Sequence, residues 1–184
     1  MIELRKLSIV DLAIAMGRIN RWAGLGAFAL SIAQHQTTLS YFTPPPLRRA
    51  ALIHDVVEIF MGGDMIDPIK RSCPGVLAAE DRLQHEVCRL FNVRYSDILS
   101  LSFYDKAIRF DEEAALWPDR VVDKSKGLGA IVDPMTPEAA SVAWMRRYFQ
   151  LFPGDKHAQA QINGDDHDQG DEERAVLSPS LLVA

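Results

Sequence analysis

Cysteine is scarce: the 184 residues contain two, Cys73 and Cys88. With no CxxC spacing, they give little support to a disulfide framework or a cysteine-rich zinc site, and a reducing cytoplasm is the expected home. Long apolar runs are missing as well. No stretch approaches the ~20 consecutive apolar residues of a membrane span. The opening "MIELRKLSIVDL" also has no apolar core behind a basic region, so a soluble, unexported protein without a membrane partner is expected. A basic surplus is lacking too. The 20 Lys and Arg stand against 25 Asp and Glu, a formal charge of −5. That balance excludes wrapping of duplex nucleic acid but leaves room for a local basic cluster around a small phosphate ligand. Period-2 runs of β-branched residues and long internal repeats are absent, which points away from sheets and solenoids.

What the chain does have is apolar residues at helical spacing, in a sequence that is 48% hydrophobic and long enough for one domain with its own core. Ser8-Ile-Val-Asp11 has the form of a capping box, and Leu12, Ala15, Met16 and Ile19 follow at helical spacing, predicting a helix from about Ile9 to Asn20. After the glycines of "AGLGAF", the segment "LSIAQHQTTLSYF" resumes helical character up to Pro44-Pro45-Pro46. That proline run presets the next helix, "LRRAALIHDVVEIFM", which "GGD" ends. "VLAAEDRLQHEVCRLF" is amphipathic, and in "SDILSLSFYDKAIRFDEEAALWP" the residues Phe103, Ala107, Phe110, Ala114 and Trp117 recur at helical spacing. "TPEAASVAWMRRYFQLFP" carries a threonine cap and a proline at the first helical position, predicting a last helix. After Pro153 the sequence turns polar, acidic and aperiodic. The expectation is an all-α helical bundle over residues 1–153 and a mobile acidic tail over 154–184.

Within this pattern the dipeptide His54-Asp55 is out of place, because an imidazole and a carboxylate in an apolar run are costly to bury unless hydrogen bonds or a metal ion satisfy them. On a helix Glu58 shares their side, four residues beyond His54 and three beyond Asp55. A later helix offers Asp105, Arg109 and Glu112 as one polar stripe, and "SIAQHQ" contributes His35. Two imidazoles and two carboxylates from three helices would suit a divalent first-row ion such as Mn, Co, Fe, Ni or Zn. Each residue also has a plain structural reading. A half-buried helical histidine is usually a hydrogen-bonded core residue, and Asp105 has Lys106 and Arg109 as neighbours for a surface ion pair.

The segments "SIAQH", "ALIHDVVE", "GDMIDPIK" and "DKAIRFDEEAALWP", in that order, resemble the successive signature segments of HD-domain metal-dependent phosphohydrolases. The resemblance spans about residues 8–152 and is nearest to the small single-domain group of 5′-deoxynucleotidases and phage-type deoxynucleoside triphosphohydrolases. It implies an HD-domain helical bundle with His35, His54, Asp55 and Asp105 as ligands of one ion. It further implies Glu58 as an acid/base group and Asp64 as a catalytic-site carboxylate. Lys70 closes the same segment, and Arg21-Trp22 is similar to an Arg-Trp pair of the deoxynucleotidase branch. Three features depart from the family pattern: Gln36 stands where a serine often follows the first histidine, an extra glycine lies between Glu58 and Asp64, and "AGLGAF" is glycine-rich.

Phosphate-ester hydrolysis needs an activated water, neutralised phosphoryl oxygens and a seat for the leaving group. Arg18, Arg21, Lys70 and Arg109 are candidate grips for anionic oxygens, and Trp22 is either a stacking surface for a base or a core tryptophan. The implied substrate is a small deoxynucleotide, as a monophosphate or as a triphosphate such as dATP, with an additional Mg accompanying a triphosphate. The competing class is a non-catalytic HD-fold nucleotide sensor or assembly module. Apolar residues of the later helices, Trp144 and Phe149 among them, predict a homo-oligomer.

Overall fold

The first helix begins where the capping box predicts. In α1, Ile9–Arg18, the Ser8 hydroxyl accepts a hydrogen bond from Asp11 N at 3.0 Å, and the Asp11 carboxylate accepts one from Ser8 N at 3.0 Å. Leu12, Ala13 and Met16 on its inner face are fully buried. The helix stops two residues earlier than expected. Ile19 is extended, and Asn20 forms an isolated antiparallel bridge with Ser31. The structure is a computed structural model that describes residues 7–65, 70 and 72–155, and among these there is no β-strand. The acidic tail expected from residue 154 lies, from residue 156 on, outside the described residues.

The connection from α1 to the next helix makes a short 3-10 turn, Arg21–Gly24, in which Trp22 (φ 56°, ψ 28°) and Ala23 (φ 53°, ψ 27°) are left-handed. Further along, Ala27 N donates to the Leu116 carbonyl at 2.8 Å. A side chain at Gly26 would have its Cβ 2.8 Å from Leu116 Cβ and 3.1 Å from the Leu116 carbonyl oxygen, so this glycine of "AGLGAF" serves close approach to the segment around Leu116. Ser31 then caps α2, Ile32–Phe42, through a hydrogen bond from Gln34 N at 3.2 Å. This helix runs through the middle of the bundle, with Ile32, Ala33, Gln34, His35, Gln36, Leu39 and Ser40 all buried.

The segment expected as one helix over 47–61 is broken. It forms α3, Arg48–Ile53, a turn over 54–57, and α4, Glu58–Met61, which ends at Gly62 in the left-handed conformation. The helices α5, Pro74–Leu90, and α6, Tyr95–Leu99, follow. Next come α7, Ser102–Leu116, and α8, Pro137–Leu151, capped by Thr136. The segment 96–118 therefore forms two helices rather than one; the apolar repeat from Phe103 lies on α7, and Phe103 is 71% exposed instead of buried.

The main core joins α1, α2, α3 and α8 through Leu12, Met16, Ile32, Leu52, Ile53, Trp144 and Tyr148. Trp144 is fully buried, stacked on Tyr148, and its indole N–H lies 2.9 Å from both Gln36 Oε1 and the Leu52 carbonyl. Phe149 packs against the same core. Neither residue forms the exposed apolar face that led to the expectation of an oligomer. No helix among the described residues is long and apolar enough to cross a membrane.

Helix α1 approaches α8 closely at Gly17. A Cβ there would lie 2.5 Å from the Pro137 carbonyl oxygen, a backbone atom that cannot swing aside. Gly17→Ala is expected to destabilise the protein by about 2 kcal/mol, lowering the midpoint of thermal unfolding by about 5 °C. An unchanged melt followed by circular dichroism would show that the helices can separate without loss.

Candidate metal centre

Three segments far apart in sequence meet at one point. Helix α2 carries His35 with its side chain completely buried, the turn between α3 and α4 carries His54 and Asp55, and α7 carries Asp105. His35 Nε2 lies 3.3 Å from His54 Nε2, 3.3 Å from Asp105 Oδ1 and 3.6 Å from Asp55 Oδ2. His54 Nε2 is 3.3 Å from Asp55 Oδ1 and 3.7 Å from Asp105 Oδ1. Ligand atoms around one ion, at bonds near 2.1 Å, are separated by about 3.0–3.5 Å, so these spacings are close to those of a coordination shell. The donor atoms of His35, His54 and Asp105 all fall within 4.8 Å of one another. Asp55 stands beside this trio but outside it, its carboxylate also taken by Arg21 Nη1 at 3.1 Å.

Both imidazoles are set for the task by what their other nitrogen does. His54 Nδ1 is 2.9 Å from the Ala51 carbonyl, an acceptor only, so the proton resides on Nδ1 and Nε2 keeps its lone pair. His35 Nδ1 is 2.5 Å from Glu112 Oε1, which orients Nε2 in the same way. Asp105 Oδ1 is buried and makes no hydrogen bond among the described residues. A buried carboxylate oxygen without a donor, facing two imidazole nitrogens, is the atom a cation would satisfy. Two nitrogens with hard oxygens suit a divalent first-row ion.

Without a cation, protons take its place. Burial and the Arg21 charge oppose protonation of His35, yet Glu112 and Asp105 outweigh them and lift its pKa to about 9. Burial alone would raise Glu112. The charges of Arg21 and His35, with hydrogen bonds from His35 and Trp22, pull it down to about 2 instead.

A second charged group adjoins the first. Glu58 is buried, with Oε1 2.6 Å from Lys70 Nζ, and Lys70 reaches Glu80 Oε1 at 2.7 Å on its other side. Glu58 Oε2 has no partner among the described residues. Burial raises the Glu58 carboxyl to about 7; the Lys70 hydrogen bond works against this, and the Asp55 and Asp64 charges add to it. Asp64, partly buried just after the glycine pair, acts electrostatically on both Glu58 and Arg21.

The expected anion grips fall into different situations. Arg21 is held between Asp55 and Glu112, and Lys70 between Glu58 and Glu80, so both are engaged by carboxylates. Arg109 is exposed on α7, its guanidinium 5.4 Å from the centre of the Trp22 ring. Arg18, exposed in the last turn of α1, has Glu138 at the start of α8 as an electrostatic neighbour. Trp22 packs edge-on against Trp117 at 5.4 Å and donates its indole N–H to Glu112 Oε2 at 3.0 Å. Glu112 was visible in the sequence as the third member of the α7 polar stripe, but nothing in the spacing distinguished a histidine-orienting carboxylate from a surface one.

Because Lys70 serves two carboxylates, Lys70→Met should leave Glu58 buried without its counter-charge and destabilise the fold by about 3 kcal/mol. Adding Glu58→Gln to that variant should recover at least about 1 kcal/mol, since the two positions are coupled. Urea unfolding of the two single variants and the double variant measures this. Simple additivity would mean that the ion pair carries no net energy.

No protein-family model matches the chain. Over 155 residues it is 26% identical to the uncharacterized protein YfdR of Escherichia coli (strain K12), covering 78% of this chain and 83% of that protein.

Proposed function

We propose that the chain is a metal-dependent phosphohydrolase of the HD type that cleaves the 5′-phosphate ester of deoxynucleotides. The observation that carries this reading is the meeting of His35, His54 and Asp105 from three segments, with a buried Asp105 oxygen that accepts no hydrogen bond and faces both imidazole nitrogens. These three residues, with Asp55 beside them, would hold one divalent ion of the Mn, Co, Fe, Ni or Zn group. Such an ion supplies Lewis acidity, lowering the pKa of water and neutralising phosphoryl charge.

The chain's own residues account for the remaining requirements. Glu58 Oε2 is the available proton acceptor, buried and unpartnered, on a carboxyl whose pKa near 7 suits transfer in either direction at neutral pH. Lys70 keeps Glu58 Oε1 fixed, so the free oxygen is Oε2. Arg109, exposed one helical turn from Asp105, is the cation best situated to meet a phosphate arriving from solvent. The charge balance favours a monophosphate over a triphosphate. Among the described residues, the carboxylates of Asp55, Glu58, Asp64, Asp105 and Glu112 stand against the cations of Arg21, Lys70 and Arg109 and the two charges of the ion, a balance that leaves no positive surplus for a triphosphate chain.

The engagement of Arg21 and Lys70 by carboxylates is the one feature that favours the competing reading, a nucleotide sensor without turnover. Incubation of Mn-, Co-, Fe-, Ni- or Zn-loaded protein with deoxynucleoside monophosphates and triphosphates, assayed for phosphate, triphosphate and nucleoside, separates the possibilities. Release of phosphate from monophosphates is the expected outcome, and Asp105→Ala should abolish it together with metal retention. Binding without turnover under every metal would establish the sensor instead, and triphosphate release would overturn the monophosphate assignment.

A further inference from the structure

The sequence reads Arg21 as a candidate grip for anionic oxygens and Trp22 as either a stacking surface for a base or a core tryptophan. Their hydrogen bonds lead elsewhere. Trp22 Nε1 donates to Glu112 Oε2 at 3.0 Å, Arg21 Nε lies 3.4 Å from the same oxygen, and the other oxygen, Oε1, holds His35 Nδ1 at 2.5 Å. Arg21 Nη1 then reaches Asp55 Oδ2 at 3.1 Å. Both the Glu112 and His35 side chains are at most 1% exposed, so no solvent competes for these bonds.

The backbone makes the same point independently. Trp22 and Ala23 are both left-handed, a conformation that non-glycine residues adopt at an expense of about 1 kcal/mol or more each. The turn is held from both ends: Arg21 N donates to the Leu30 carbonyl at 2.8 Å, and Leu25 N to the Trp22 carbonyl at 3.0 Å. Such strain persists where surrounding contacts over-determine it. Here it delivers the indole N–H and the guanidinium to one carboxylate oxygen.

We infer that Arg21, Trp22 and Glu112 form a positioning unit for the metal ligands, in which Glu112 fixes the His35 ring and Arg21 ties that carboxylate to Asp55. The unit acts on metal affinity and ligand geometry rather than on substrate recognition. A carboxylate that accepts the second N–H of a ligating histidine fixes the tautomer and raises the basicity of the coordinating nitrogen. Glu112 has both oxygens committed to this end. The inference rests on the metal centre proposed above, but on neither the reaction nor the nucleotide.

The test uses the full chain and two substitutions, Glu112→Gln and Trp22→Phe. The first removes the carboxylate charge. The second keeps an aromatic ring and deletes only the indole donor, so it remains informative should Glu112→Gln fail to fold. Co(II) binding by calorimetry is the first readout. Glu112→Gln is expected to weaken it about 10- to 100-fold and Trp22→Phe about threefold. The second readout is the His35 Nδ1 ring proton in Zn(II)-loaded, 15N-histidine-labelled protein, which should resonate downfield in the unaltered chain and move upfield in Glu112→Gln. Affinity within twofold of the unaltered chain and an unmoved ring proton in both variants would overturn the positioning unit. So would unchanged Co(II) affinity accompanied by a raised KM for deoxynucleotides, because that pattern belongs to substrate contact. Failure of the metal centre itself has a different signature: Co(II) binding that is absent from the unaltered chain, or that survives Asp105→Ala.

Discussion

A single carboxylate, that of Glu112, ties together segments that would otherwise share little. It is buried on α7 and takes hydrogen bonds from Arg21, Trp22 and His35, which lie 91, 90 and 77 residues away in sequence. An ionised carboxylate with no partner is prohibitively costly in such surroundings; one with a guanidinium, an imidazole N–H and an indole N–H around it is well solvated by protein. Meeting that requirement draws the α1–α2 connection onto α7 and aligns α2 beside it. The left-handed residues at Trp22 and Ala23 are a consequence. They are the conformation in which the chain leaves α1, turns, and still presents two donors to the same oxygen.

Helix α2 transmits this arrangement to the core. It is unusually polar for a central helix, with Gln34, His35, Gln36, Thr37 and Ser40 all buried. Each of these side chains makes at least one hydrogen bond, His35 to Glu112 and Thr37 to the Ala33 carbonyl at 2.7 Å. Gln36 accepts from the Trp144 indole, Ser40 takes the Arg147 guanidinium at 2.9 Å, and Gln34 donates to the Asp133 carbonyl at 2.6 Å. Successive helical residues point about 100° apart, so His35 faces the charged cluster while Gln36 faces Trp144. Sliding or rotating α2 to relieve one set of bonds would break the other. The position of His35 is therefore fixed by the packing of α8 on the far side as much as by its own neighbours.

Much of this was legible in the sequence where the signal is local. The Ser8–Asp11 capping box, the Thr136 cap with Pro137 behind it, and the glycine pair ending α4 act over three or four residues, and the structure has each of them. His35, His54, Asp55 and Asp105 do gather at one place. What local spacing could not reveal is which polar residue pairs with which. Lys70 and Arg21 read as free cations because nothing near them in sequence claims them; their partners, Glu58 and Glu80, Asp55 and Glu112, are supplied by the fold. Trp144 misled for the same reason. A tryptophan in a charged amphipathic stretch looks like surplus apolar surface until Gln36 and the Leu52 carbonyl are brought to its N–H.

The break between α3 and α4 shows how far local propensity can be overridden at a site. Residues 47–61 contain nothing that forbids one continuous helix, yet the bonds Val56 N to Ile53 O, Glu58 N to Asp55 O and Phe60 N to Val57 O run over three residues rather than four. Adjacent side chains diverge by about 100° in a regular α-helix and by about 120° at three residues per turn, so the tightening does not by itself turn His54 and Asp55 toward one point; the length of their side chains closes that gap. What tightening toward three residues per turn does is stack position i over i+3, which sets Glu58 above Asp55, and His54 Nε2 lies 3.3 Å from Asp55 Oδ1. The same three-residue bonds carry the chain without a gap into α4, where Glu58 N, Ile59 N and Phe60 N are all bonded to the preceding turn and the Glu58 carboxylate is held by Lys70 instead. The sequence carries no mark of this distortion, for the groups that the broken segment meets, His35 and Asp105, come from other helices and stand within 3.7 Å of His54 Nε2.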